Sequence, residues 1–195
     1  GQGARDDRAW GDGPPGRMDI VGSSLPVSGR AVLVAESYSG PLAIRLASQY
    51  PSQVSHVVLA ASFARAPVPR SLLRLASGAV YLMKPPGALL RSLLLGWDAA
   101  PELVQRLRSV VDRVPSSVLA SRLREIRHVD VTDELRRCEP PVLYLEGTED
   151  RLVGSRGIDV IRQIRPDVRL ERVRAPHLLL QREPEWSWEK IVEFV

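Results

Sequence analysis

From Arg30 onward, short continuous apolar runs alternate with amphipathic stretches, and their order predicts the architecture. Ala31-Val-Leu-Val-Ala35 is apolar without a break, the pattern of a strand buried on both faces of a parallel sheet. Gly40-Pro41 opens a helix, because the fixed φ and missing N–H of proline suit a first turn. Leu42, Leu46 and Tyr50 fall at i, i+4 and i+8 on one face, and Pro51 ends the helix. His56-Val-Val-Leu-Ala-Ala61 predicts a second buried strand, completing a βαβ unit. Residues 64–138 read as helical throughout. Leu103, Leu107, Val110 and Val111 form one stripe and Val118, Leu119, Leu123 and Ile126 another, with prolines as punctuation. Val142-Leu-Tyr-Leu145 predicts a third strand, 158–164 a helix, 168–173 an edge strand. Trp188, Ile191, Val192 and Val195 have helical spacing after Pro184. The expected fold class is α/β, a mostly parallel sheet in a core over 29–195, with 64–138 as a helical cap insertion. Residues 1–28 show no period and read as an irregular arm. Gly11-Asp-Gly-Pro-Pro-Gly16 formally matches GxGxxG, but no strand precedes it and its prolines do not open the required helix, so it is set aside as a dinucleotide site.

Composition narrows the classes without changing this picture. A chain of 195 residues, 44% hydrophobic and 26% charged, suits one globular domain. Cys138 is the single cysteine, which excludes an internal disulfide framework and a cysteine zinc cluster. The net charge is +4, but the 27 basic residues are spread along the chain and largely balanced by 23 acids. No basic stripe interleaved with aromatics appears, so no nucleic-acid partner is expected. The longest uncharged apolar run, near 75–83, is far short of a membrane span. The start lacks the order of a signal peptide, and Gly1 reads as a processed or tagged beginning. The expectation is a soluble cytoplasmic protein.

The chemistry concentrates where the first strand meets its helix, at Ala35-Glu-Ser37-Tyr-Ser39-Gly40. A serine on a sharp strand-to-helix turn projects its hydroxyl beyond the sheet, and the residues two before and two after it must be small. Ala35 and Ser39 are small. The helix behind the serine offers backbone N–H groups and a positive dipole end to a developing oxyanion. On this turn alone, Ser37 reads equally well as a helix cap. Two more segments bear on the choice: Gly147-Thr-Glu-Asp150 after the third strand and Pro176-His177 after the fourth. Parallel strands share one C-terminal edge, so Ser37, Asp150 and His177 are expected to meet there in the order Ser…Asp…His. A serine hydroxyl needs an imidazole to take its proton, and the imidazole needs a carboxylate to orient it. Glu149 is the fallback acid. His56 and His128 read as packing or surface residues and Cys138 as a structural thiol beside Arg136 and Arg137. No cluster has metal-ligand spacing, so neither metal nor cofactor is expected.

Val32-Leu-Val-Ala-Glu-Ser37-Tyr-Ser-Gly-Pro, Val57-Val-Leu-Ala-Ala-Ser-Phe63, Gly147-Thr-Glu-Asp150-Arg-Leu-Val and Pro176-His177-Leu-Leu-Leu together resemble the α/β-hydrolase superfamily. The small carboxylesterases similar to pimeloyl-ester carboxylesterase are the nearest in pattern. The resemblance covers about 30–195. It implies Ser37 as nucleophile, Asp150 as acid, His177 as base, the Tyr38 backbone N–H as half of the oxyanion hole, and Phe63 as a substrate contact. It also implies that the family's early strands are missing ahead of Ala31, a truncated α/β-hydrolase whose first strand has an unpaired edge.

The function expected is therefore a serine carboxylesterase acting on small to medium-chain esters through an acyl-enzyme. Arg70 and Arg91 in the cap are candidate contacts for an acidic tail. The competing reading is a non-catalytic truncated hydrolase scaffold that serves binding or assembly; a third keeps the three residues and cleaves C–C bonds or makes peracids. An exposed apolar edge invites pairing with another copy, so a homodimer through the first strand is expected, or an arm folded over it.

Overall fold

A computed structural model describes residues 22–67 and 84–195 of the chain. The elements run β1 (Ala31–Glu36), α1 (Ser39–Gln49), β2 (Val54–Ala60), α2 (Gly87–Leu90), which continues into a π-helical turn (Arg91–Leu95), then α3 (Pro101–Arg113), α4 (Ser116–Ile126) and α5 (Thr132–Arg137). They continue as β3 (Val142–Gly147), α6 (Ser155–Ile164), β4 (Arg169–Val173), α7 (Leu179–Arg182) and α8 (Pro184–Phe194). The fold is α/β: four strands in the order β1-β2-β3-β4, every neighbouring pair parallel, with helices on both faces.

The two-residue period of a strand sorts the core. Val57 and Leu59 of β2, with Val142 and Tyr144 of β3, face a layer built from Ala43, Ile44 and Ala47 of α1, Leu135 of α5, and Ile158 and Ile161 of α6. Val58 and Ala60, with Leu143 and Leu145, face Leu179 of α7 and Ile191 of α8 on the other side. The core-facing stripe of α1 is thus alanine-rich, which lets the helix lie close to the strands. Leu42, expected on that stripe, instead turns toward Phe63 and Ile126.

β1 departs from the expected doubly buried strand. Leu33 and Ala35 pack on the α1 side, but Val34 is 47% exposed on the other face. Among the described residues β2 is the strand paired with β1. An all-apolar run cannot distinguish an interior strand from an edge, because it reports hydrophobicity and not neighbours.

Between β2 and β3 the chain is not helical throughout. Residues 62–67 are irregular, with Arg65 bridging to Asp130, and α2 to α5 follow. The stripes expected on α3 and α4 are thinly covered, with Val110 and Val118 exposed. Residues 1–21 of the expected arm, its GxGxxG match and Arg70 lie outside the described residues. Among those described, no helix is long and apolar enough to cross a membrane.

Candidate active site

Four loops leave the C-terminal ends of the four parallel strands, the edge of an open α/β sheet where ligands bind. Ser37 occupies the first. Its φ is +56°, a left-handed conformation that a non-glycine residue adopts at a cost of about 1–3 kcal/mol. The turn is held by its surroundings: Ser37 N–H donates to the Ala60 carbonyl at 2.9 Å, and the Ser62 hydroxyl donates to the Ser37 carbonyl at 2.8 Å. Tyr144 secures Ser62 in turn, its hydroxyl accepting from the Ser62 N–H at 3.1 Å and donating to the Ser62 carbonyl at 2.7 Å. Burial pushes the Tyr144 phenol well above its ordinary range, so it remains a neutral donor and acceptor. Gly40 makes the approach possible, since a Cβ there would sit 1.7 Å from the Ser62 Oγ.

The loops after β3 and β4 bring the other two residues. Gly147 ends β3 against the Ala175 and Pro176 carbonyls; a Cβ at this position would meet them at 2.5 and 2.8 Å. Thr148 and Glu149 N–H donate to the carbonyls of Val173 and Ala175, pinning the loops together. The outcome is one unbroken line: Ser37 Oγ lies 2.7 Å from His177 Nε2, and His177 Nδ1 lies 2.9 Å from Asp150 Oδ2. An ionised carboxylate only accepts, so Nδ1 carries the proton toward Asp150 and Nε2 is left to accept from the serine hydroxyl. The other Asp150 oxygen accepts from the N–H groups of Leu152 and Val153. Burial raises the affinity of Asp150 for a proton. The hydrogen bond and charge of His177, with the two backbone N–H groups, outweigh that and hold its carboxyl below the usual carboxylate range. Both side chains are nearly closed to solvent, at 4% and 2% exposure.

Glu149, the fallback acid, turns outward and pairs with Arg174 at 2.6 Å. Tyr38 follows Ser37 at the N-cap of α1, and its hydroxyl donates to Glu125 of α4 at 2.5 Å, tying the inserted helices to the serine turn. A second tie runs from Leu178 N–H to the carbonyl of Leu94 in the π-helical turn. Phe63 is 2% exposed and sits in a cluster with Val129 and Val153, against which Tyr38, Leu42 and Ile126 pack. Arg91 donates to the carbonyls of Trp97 and Ala99. His56 stacks edge-on against Phe194, and His128 lies at Arg127. Cys138 is buried, and burial pushes its thiol up; Arg165, not Arg136 or Arg137, lies beside it. A polar cavity of about 700 Å³ lies between the 96–98 turn and the loops after β3 and β4. Asp150 lines it, and Ser37 is not among its lining residues.

With this geometry in place, comparison with solved structures is decisive for the fold. A hydrolase from Pseudomonas aeruginosa superposes with a TM-score of 0.74 at 23% identity, over 85% of this chain and 64% of that one. A thermophilic esterase from Thermogutta terrifontis gives 0.75 at 20% identity, over 95% and 76%. The chain has the α/β-hydrolase fold. The enol-lactonase from Burkholderia xenovorans superposes likewise, with a TM-score of 0.72 at 20% identity over 92% of this chain and 68% of that one. This chain therefore spans about two thirds to three quarters of the length of these neighbours. No family model matches the sequence. No curated protein matches it either.

Sequence reasoning passed over the groups that hold the serine turn. Ser62 and Tyr144 sit inside apolar runs, where a hydroxyl reads as noise in the pattern. Glu36 had a visible signal, a carboxylate closing an apolar strand directly before the serine.

Proposed function

We propose that this chain is a serine carboxylesterase that hydrolyses small to medium-chain carboxylic esters through an acyl-enzyme. The observation that carries the reading is the continuous hydrogen-bonded line from Ser37 through His177 to Asp150. In the first step Ser37 Oγ attacks the ester carbonyl while His177 Nε2 takes its proton. The oxyanion draws on the N-terminus of α1, with the Tyr38 N–H as the intended donor. The tetrahedral intermediate collapses as His177 returns the proton to the leaving alkoxide, and an alcohol departs. Water, deprotonated by His177, then attacks the acyl-enzyme and releases the acid. Asp150 keeps the imidazole in the required tautomer and stabilises its charged form. Structures described as esterases and as an enol-lactonase, all acting on ester-type bonds by their descriptions, support the same class.

The test is hydrolysis of p-nitrophenyl acetate and butyrate, with fluorophosphonate labelling, by the unaltered chain and by Ser37→Ala. The serine should take the label, and the variant should lose it along with about 10⁴-fold or more in kcat. Equal rates in the two proteins would leave the scaffold reading in possession.

A further inference from the structure

One carboxylate at this site has no part in the three-residue line. Glu36 closes β1, immediately before Ser37, yet its side chain reaches the segment that follows His177. One oxygen accepts from the Leu180 N–H at 3.0 Å and the other from the Gln181 side-chain amide at 2.9 Å. Both partners lie on α7, which starts two residues after the histidine. β1 and α7 are 144 residues apart, and this contact is a direct strap between the nucleophile turn and the histidine segment. Both oxygens face donors, and only an ionised carboxyl satisfies two donors without turning a proton toward one of them.

We propose that Glu36 is a positioning residue, strapping the His177 segment to the serine turn and lending its negative charge to the imidazolium. The role in turnover rests on the esterase reading; the action on His177 does not. The charged groups around Glu36 are consistent with it. Burial is the largest influence and raises the Glu36 carboxyl above its ordinary range, against the hydrogen bonds from Leu180 and Gln181; of the nearby charges, His177 favours its ionised form and Asp150 opposes it. Arg182 on the same short helix is directed to Asp98 at 2.7 Å and does not neutralise it.

Glu36→Gln and Glu36→Ala separate strap from charge. The glutamine keeps both hydrogen bonds once the Gln181 amide turns over, and it loses only the charge; the alanine loses both. The chain holds three histidines, so the ring signals of His177 are assigned by comparison with His177→Gln and followed by NMR against pH in the full chain. Removing a negative charge makes the imidazolium less favourable. In Glu36→Gln, the pH response of the His177 ring signals should move to lower pH than in the unaltered chain, and the acid limb of kcat/KM should move with it. Glu36→Ala should in addition lose about tenfold in kcat with KM nearly unchanged. Superimposable His177 titrations, or an alanine variant as active as the glutamine variant, overturn the proposal. If the alanine variant does not fold, the glutamine titration decides by itself. Absence of turnover in the unaltered chain counts against the esterase reading alone, since the titration reads Glu36 on His177 without chemistry.

Discussion

At the scale of single residues, the site depends on holding an ionised carboxylate where water is nearly absent. Asp150 does so because four favourable influences, two from His177 and two from backbone N–H groups, outweigh its burial. The consequence for stability has a definite sign. A carboxyl whose proton affinity is lowered by folding stabilises the fold above its unfolded value of about 3.9, and that contribution disappears as pH falls through the lower folded value. Asp150→Asn should therefore melt below the unaltered chain at pH 6, and the gap should close below about pH 4. Thermal melts across that range check it. The same variant removes the acceptor that sets the tautomer and should lower kcat by about 10⁴-fold. Ser37, Asp150 and His177 each stand at an element boundary, where a chemical group has few structural reasons to be, and the structure brings their side chains into one hydrogen-bonded line. The offset from Gly147 favours Asp150 over the adjacent Glu149, and the direction of the loop turns Asp150 to the histidine and Glu149 out to Arg174.

At the scale of elements, the loops meet because particular positions carry no side chain. Gly147 allows the end of β3 to touch the Ala175–Pro176 backbone, and the atoms in the way of a Cβ are carbonyl oxygens that no rotamer change moves. Gly147→Ala should cost roughly 1–3 kcal/mol, visible as a lower melting temperature. It should also displace His177, so that kcat falls more than KM rises. The inserted segment is fastened to the same edge by Tyr38–Glu125 and Leu94–Leu178. Sequence periodicity located α3 and α4 well and their covering poorly, because an amphipathic stripe states which face is apolar and not how much of it a neighbour reaches. The alanine-rich face of α1 shows the complementary failure. Counting large apolar residues selected Leu42, Leu46 and Tyr50; Leu46 is buried, but the close packing against the strands also uses Ala43, Ile44 and Ala47.

At the scale of the whole molecule, β1 is the open question. The strand combines an apolar sequence, an exposed Val34 and, among the described residues, a single paired neighbour. We propose that two copies pair along this edge, because an edge strand with apolar side chains favours adding a further strand. Light scattering after size exclusion should then give twice 21.6 kDa, and Val34→Lys should return the mass toward 21.6 kDa. A stable monomer of the unaltered chain at working concentration would contradict the pairing.

By itself, the amino-acid order determined the βαβ alternation and the parallel sheet, since hydrophobic period and turn chemistry are local properties. Tertiary structure alone decided that Glu149 turns out to Arg174, that Ser62 and Tyr144 guard the serine turn, and that Glu36 reaches across to α7. Those are contacts between segments up to 145 residues apart, and a local pattern carries no record of distance in space.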